Sequence, residues 1–314
     1  MFIDLEQVFS DLDDAWKKFK EEWDNNSLSQ ELQKMTEEDP FSLLAEAMEN
    51  PLNNSVLVMS EIMTIIVAFH MSNYRTFKHF YINFVQKYWK DAFPNLVSYY
   101  RFIALQKTAI IPLCIFLNQR KGEVTGISYI DSTTIIVCHN KRIHSNKVFK
   151  NLAKRGKNSI GWFYGFKLHL VVSDQGDLLA AKVTQGNIDD REPVNELTKD
   201  IIGKLFGDKG YISQSLFEEL FGRGLQLITK IKKNMKNKLI PILDKILLRK
   251  RAIIETINDQ LKNISQIEHT RHRSVTGFMV NMLGGLIAYT YRDNKPSIQL
   301  NEKDLEILSK CGVI

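Results

Sequence analysis

The spacing of apolar residues predicts helices throughout the first third of the chain. Between residues 1 and 118, apolar side chains recur at intervals of three and four positions, which is the period of one helix face. Two such runs cover residues 2–12 and 56–69, and Pro40, Pro51 and Pro94 interrupt the segment. We therefore predict an all-helical N-terminal domain over residues 1–120.

Near residue 122 the pattern changes to short apolar runs and strict alternation, which are typical of strands. Residues 162–172 alternate between two faces, and residues 174–177 predict a hairpin turn into a strand at 178–183. Further strands are predicted at 205–208 and 225–231, and helices at 215–221 and 247–264. This order indicates a mixed α/β sheet covered by helices. We assign it to residues 121–292 and treat residues 293–314 as a C-terminal tail.

Charge is unevenly distributed along the chain. The 314 residues carry a formal net charge of +6 and a sequence pI near 9.0, yet residues 1–50 hold 14 acidic and 4 basic side chains. The remaining residues therefore form a strongly basic body with a charge of +16. Such a body favours nucleic acid partners. A hydrophobic content of 44% excludes a wholly disordered chain.

Cysteine usage and the first residues predict a cytoplasmic protein. Cys114, Cys138 and Cys311 form neither a CxxC pair nor an even disulfide framework. Asp4 gives the start of the chain the wrong charge for a signal peptide. The uncharged residues 274–291 reach the length of a membrane span, but the polar residues among them favour a helix buried in a protein core.

Two segments combine features that suit contact with DNA. Residues 74–89 interleave four basic side chains with seven aromatic ones. The same aromatic residues could instead form the core face of a helix, so both interpretations stay open. Residues 230–251 hold nine Lys or Arg against one acid, Asp244, which fits either a solvated face or a DNA-binding surface.

Three carboxylates are candidates for a metal site. Asp131 ends the first predicted strand, Asp208 ends the fourth, and Glu255 lies inside the late helix. Two aspartates at adjacent strand ends are costly unless a cation neutralises both, and Mg²⁺ prefers hard oxygen ligands of this kind. Taken singly, each acid is more often a cap or a surface residue.

The late helix places charged residues at a regular spacing. Arg251, Glu255 and Lys262 are separated by four and seven positions, so they project from one helix face. One carboxylate between two cations could bind both a metal ion and a phosphate. The spacing equally fits an ordinary Arg-Glu pair, which contributes only about 0.3 to 0.5 kcal/mol.

Four short motifs occur in a fixed order along the basic body. They are Tyr-Ile-Asp-Ser-Thr at 129–133, Gly-Phe-Lys-Leu-His at 165–169, Gly-Asp-Lys-Gly-Tyr at 207–211, and Arg251-x3-Glu255-x6-Lys262 followed by Thr-Arg-His-Arg-Ser at 270–274. Together they resemble bacterial insertion-sequence transposases of the DDE type, over residues 55 to about 292. The chain departs from the related Tyr-x2-Arg-x3-Glu-x6-Lys signature at its first position, where it has Leu248.

The resemblance implies an RNase H-like mixed sheet flanked by helices, in which Asp131, Asp208 and Glu255 hold divalent metal. Two Mg²⁺ ions, for which Mn²⁺ can substitute, would activate the attacking oxygen and stabilise the leaving one at phosphorus. The implied enzyme binds the inverted repeats of its own element, cleaves DNA strands and joins the 3′-hydroxyl ends to target DNA. A homodimer on DNA is expected, with no membrane partner.

Six side chains are the candidates for contact with DNA: Arg251, Lys262, Lys209, His169, Arg271 and Arg273. For His169 a hydrogen-bonded structural role competes with a phosphate contact, because a strand histidine is more often structural. His139 and His144 lack zinc-site spacing, and no phosphate-loop pattern occurs.

Three functions remain open at this point. The first is a metal-dependent transposase. The second is a nuclease of the same fold that hydrolyses DNA without strand transfer. The third is a catalytically silent remnant whose basic body still binds DNA.

Overall fold

The computed structural model describes residues 4–24, 56–230, 240–268 and 272–310. The chain divides into two compact units. The first comprises residues 1–120 and 261–292, and the second comprises residues 121–260 and 293–314. The predicted boundaries after residues 120 and 292 both coincide with boundaries of these units, which have a further boundary after residue 260. As a functional assignment, that division stays a prediction.

The described elements of the first unit are helical. They are α1 Leu5–Asp24, α2 Met59–Met71, α3 Phe77–Phe80, a π-helical turn Tyr81–Val85, α4 Gln86–Tyr88, α5 Tyr99–Leu105, a 3-10 turn Gln106–Ala109, α6 Ile110–Gln119, and α11 Val275–Thr290. Helix α2 packs against α1 and α11, and α11 also packs against α6. Their apolar side chains form the core of this unit.

The aromatic residues of positions 74–89 contribute largely to this core. Phe80 and Tyr81 are completely buried, and Phe80 stacks on Phe84 with ring centroids 5.7 Å apart. The basic residues Arg75 and Lys78 of the same segment are exposed. Apart from the exposed Tyr88, the segment therefore has an aromatic inner face and a basic outer face, which is the arrangement that the core interpretation expects.

Two helical stretches have the composition of membrane spans. Helix α11, from the uncharged residues 274–291, is almost entirely buried, as the sequence predicts for a core helix. The continuous run Tyr99–Gln119, unlike the 16-residue α11, has the length and mean hydropathy of a span, and half of its most apolar stretch is buried inside the protein. One such helix is weak evidence for a membrane, since core helices of soluble proteins pass the same test.

The second unit is a curled mixed α/β sheet flanked by helices. Its strands are β1 Ile127–Cys138, β2 Lys154–Lys157, β3 Trp162–Ser173, β4 Leu178–Gln185, β5 Gly203–Gly207 and β6 Leu225–Thr229. The order is β2-β3-β1-β5-β6, and β4 pairs with β3 on the same edge as β2. Pairs among β1 to β4 are antiparallel, whereas β5 runs parallel to β1 and β6.

Helices cover both faces of the sheet. They are α7 Val194–Leu197, α8 Gln214–Gly222, α9 Ile242–Arg249, α10 Ala252–Asn263 and α12 Glu302–Lys310. Ile130, Val171 and Leu205 form one buried cluster with residues of α7 and α8. On the other face the Tyr129 hydroxyl donates to the carbonyl of Leu247 in α9 at 3.2 Å. Helices α7 and α8 on one face and α9 on the other therefore enclose β1.

The structure corrects three local predictions. The single helix predicted at 247–264 is two helices, α9 and α10, separated at Lys250 and Arg251. The first strand, predicted to end at Asp131, continues to Cys138, so Asp131 lies within β1. In β3 both sets of alternating residues are buried beyond Trp162, apart from the half-buried Lys167. Burial on both faces follows from the helices packed above and below, which alternation within one strand does not reveal.

Candidate active site

The parallel pairing of β1 with β5 sets the position of two aspartates. Ile127 pairs with Lys204 and Tyr129 with Phe206, a constant offset of 77 residues. Continued by two residues, the same register brings Asp131 beside Asp208. Both lie two positions beyond stacked aromatic residues, Tyr129 and Phe206, and therefore project from the face that α9 covers.

Asp208 is held by the turn that follows β5. It caps the 3-10 helix Lys209–Tyr211, and its Oδ1 accepts a hydrogen bond from the Gly210 amide at 2.7 Å. One carboxylate oxygen is thereby fixed by the backbone. Lys209 is exposed directly after it, on the outside of the turn.

Helix α10 brings two side chains to Asp131. Arg251, just before the helix, places Nη1 3.4 Å from Asp131 Oδ1 and Nη2 2.5 Å from Glu255 Oε1. One turn beyond Glu255, the Asn258 amide donates from Nδ2 to Asp131 Oδ2 at 3.2 Å. The guanidinium therefore bridges two of the three predicted catalytic carboxylates. The break between α9 and α10 is what places Arg251 at this position.

Burial and neighbouring charges act together on Asp131. Burial, together with the charges of Asp208 and Glu255, raises the pKa of its carboxyl to about 6. The Arg251 guanidinium opposes them and lowers that pKa. Asp131 thus lies within electrostatic reach of both other acids, and it titrates near neutral pH rather than near 4.

The oxygen atoms at this site are ligands that suit a hard divalent cation, although they lie too far apart here to bind one together. Across the described ranges, no three His, Cys, Asp or Glu side chains are close enough together to hold a metal ion. Arg251 instead bridges Asp131 and Glu255. The buried Oδ1 of Asn258 has no hydrogen-bond partner among the described residues, and a free amide oxygen beside carboxylates is a suitable Mg²⁺ ligand. Asp131, Asp208, Glu255 and Asn258 therefore fit such a cation by chemistry.

His169 lies away from this group. It pairs with Ser132 in β1 and therefore faces the opposite side of the sheet from Asp131. The ring is completely buried, Nε2 lies 2.8 Å from Thr184 Oγ1, and burial lowers the histidine pKa to about 4. A neutral, enclosed ring has no surface for a phosphate, so we assign His169 to the sheet interior rather than to DNA contact.

The remaining predicted DNA contacts belong to the first unit. Lys262, near the end of α10, forms an ion pair with Glu268 at 3.2 Å. Arg273 is exposed. Burial raises the pKa of the half-buried Tyr99, and the positive charge of Arg273 partly opposes that increase. Arg271 lies outside the described residues, as do residues 231–239 of the basic run. The DNA contacts of these side chains stay predictions.

Asn258 is the site residue that sequence reasoning missed. It stands seven positions after Arg251 and three after Glu255, so it occupies the helix face that already carried both. The spacing was available in the sequence. An uncharged amide, however, gives no signal of its own until its carboxylate partner is known.

Comparison with protein families bears on residues 121–260 of the second unit. Residues 121–275 match the family model of the transposase DDE domain. The match supports a DDE transposase, and it includes Asp131, Asp208, Glu255 and Asn258. Domains of this family process nucleic acid and generally use divalent metals. A comparison with curated proteins found no match to this chain.

The raised pKa of Asp131 predicts a specific pH dependence of stability. Because the folded-state pKa lies above the ordinary 3.8, the folded protein binds this proton more tightly than the unfolded chain. That stabilisation is complete below about pH 4 and is lost as the pH rises through 6. Relative to the wild type, Asp131→Asn should gain up to about 3 kcal/mol in free energy of unfolding between about pH 3.5 and 7. Urea unfolding at several pH values measures this gain, and parallel curves would contradict the assignment.

Removal of the Asn258 amide should raise the pKa of Asp131 still further. The Nδ2 donor stabilises the ionised carboxylate, so Asn258→Ala leaves the buried charge with Arg251 as its main support. The measurement is a carbon NMR titration of the Asp131 carboxyl. Thr256→Ala is the matched control, because Thr256 lies on the same helix and bonds only its own helix backbone at Ala252. An unchanged Asp131 titration in Asn258→Ala would exclude the proposed support.

Proposed function

We propose that this protein is a bacterial insertion-sequence transposase that cleaves DNA strands and joins 3′-hydroxyl ends to target DNA in the presence of a divalent metal. The observation that carries the proposal is the β1-β5 register, which sets Asp131 beside Asp208. Glu255 of helix α10 is linked to Asp131 by Arg251, which forms ion pairs with both carboxylates. The family match over residues 121–275 supports the same reading.

The sheet supports an RNase H-like catalytic fold. Three long antiparallel strands, β1, β3 and β4, are followed by the parallel strands β5 and β6, with helices on both faces. In open sheets of this kind, functional side chains gather at the ends of parallel strands. Asp208 directly follows β5, and Asp131 lies at the corresponding level of the longer β1.

The chain's own residues would position a phosphate and control charge. Asp131, Asp208 and Glu255, with the Oδ1 of Asn258, would hold the metal, which when bound activates the attacking oxygen and stabilises the leaving oxygen. Arg251 balances the acids in this structure. If Arg251 loses its contact with one of these carboxylates, its guanidinium can donate two parallel N–H hydrogen bonds to two oxygens of a phosphate. Asp131 must be ionised to hold the metal, so its raised pKa makes metal binding weaken as the pH falls through about 6.

The exposed cations of the first unit support binding of the element ends. Arg75, Lys78 and Arg101 are exposed around the buried aromatic core of that unit. Phosphate contacts of such cations give affinity without reading base sequence. We propose that this unit binds the inverted repeats, that the protein acts as a dimer on DNA, and that it works in the bacterial cytoplasm.

The test is an assay of cleavage and joining by the full chain. A labelled duplex carrying the DNA that flanks the gene is incubated with a target plasmid, in Mg²⁺ or in EDTA. We expect cleaved and joined products in Mg²⁺, none in EDTA, and a loss of at least about a hundredfold in Asp131→Asn, Asp208→Asn and Glu255→Gln. Glu219→Gln, an exposed acid on α8, is the control and should retain full activity.

Other outcomes select the alternative functions. Cleavage without joined products would indicate a nuclease of the same fold. Salt-sensitive DNA binding with no cleavage in Mg²⁺ or Mn²⁺ would indicate a silent DNA-binding remnant.

A further inference from the structure

The segment between Asp131 and Asp174 is a continuous basic part of the second unit. Residues 132–173 contain eight Lys or Arg and no Asp or Glu. Seven of these cations are exposed: Lys141, Arg142, Lys147, Lys150, Lys154, Arg155 and Lys157. None of the seven forms an ion pair with any described residue. Their charge is therefore available to a polyanionic partner.

The β2-β3 hairpin organises two of these cations around an exposed tryptophan. Arg155 lies 5.3 Å and Lys157 5.8 Å from the centroid of the Trp162 ring. Trp162 is 56% exposed, although large aromatic residues are usually covered. A cationic strand beside an exposed indole is a combination that binds both phosphates and base or sugar surfaces.

The tip of this hairpin presents an apolar side chain to solvent. Ile160 is 94% exposed. It is held there by a tight turn, in which Asn158 Oδ1 accepts from the amides of Ile160 and Gly161 at 3.0 and 2.9 Å. Gly161 has a φ of 151°, which other residues rarely adopt. The turn therefore fixes Ile160 as a protruding wedge.

The strand pleat relates this hairpin to the candidate active site. Asp131 pairs with Leu170 of β3, and Trp162 stands eight residues earlier, so both project from the same sheet face. At about 3.3 Å per residue the two positions are about 26 Å apart along the strand. This distance equals about eight base pairs of duplex DNA, at about 3.4 Å each.

We propose that the β2-β3 hairpin is a duplex DNA contact about eight base pairs from the phosphate that reacts at Asp131. Arg155 and Lys157 bind backbone phosphates, and Ile160 inserts against a base step from the minor groove. Apolar wedges beside cations are a common device for bending DNA. This inference rests on the proposed function, because it takes the reacting phosphate to lie at Asp131.

The first experiment measures the salt dependence of binding to a random 30-base-pair duplex by fluorescence anisotropy. In Arg155→Gln/Lys157→Gln the slope of log affinity against log salt should decrease by about 2, since two phosphate contacts are lost. Lys199→Gln/Lys303→Gln removes two exposed cations elsewhere in the same unit and should keep the wild-type slope. Equal slopes for the two double variants would contradict the proposal that Arg155 and Lys157 contact DNA phosphates.

The second experiment tests the wedge with 2-aminopurine, whose fluorescence rises when a base unstacks. The probe is moved along a duplex whose cleavable end fixes the register. Because Ile160 lies two residues beyond Trp162, we expect a fluorescence increase confined to a step about ten base pairs from the reacting phosphate. It should be absent with Ile160→Ser, which leaves the salt slope unchanged. An increase that persists in Ile160→Ser overturns the wedge.

These outcomes are separable from the proposed function. If Asp131-dependent cleavage occurs but Arg155→Gln/Lys157→Gln keeps the wild-type salt slope and Ile160→Ser keeps the fluorescence increase, the hairpin inference alone fails. If the hairpin determines binding and no cleavage occurs, the transposase proposal fails while the DNA contact stands.

Discussion

The candidate site depends on the repulsion between acidic side chains that the sheet forces together. A parallel register with an offset of 77 residues leaves Asp131 beside Asp208, and burial adds to the cost of ionising Asp131. An ion pair with Arg251 and a hydrogen bond from the Asn258 amide stabilise the Asp131 carboxylate, and a hydrogen bond from the Gly210 amide stabilises that of Asp208. A site built in this way has a strong attraction for cations.

The carboxylates at this site and a bound phosphate would consequently compete for the Arg251 guanidinium. It binds Asp131 and Glu255 here, and a phosphate that approaches the same face offers a similar pair of acceptor oxygens. Its position follows from the interruption between α9 and α10. Leu248 stands where the chain departs from the signature that it resembles, and it is buried in α9, where it contributes to packing.

Much of the second unit could be predicted from the sequence, because its signals are local. The alternation at 162–172 and the turn at 174–177 specify β3 and its hairpin with β4, and the motif gap between Asp131 and Asp208 equals the strand register. The helix break at Lys250 and the role of Asn258 could not be predicted, whereas a structural role of His169 was one of the two interpretations that the sequence offered. The break and the role of Asn258 depend on which elements pack against each other, and the sequence of a single strand or helix does not indicate its neighbours.

The most direct test of the central claim is divalent metal binding, measured by the electron paramagnetic resonance of Mn²⁺ during titration of the full chain. The account predicts binding that weakens as the pH falls through about 6, where Asp131 becomes protonated. It also predicts that Asp131→Asn and Asp208→Asn lose this binding while Glu219→Gln retains it. Mn²⁺ affinity that is equal in all four proteins, or independent of pH in the wild type, would contradict the assignment of these acids as one metal site.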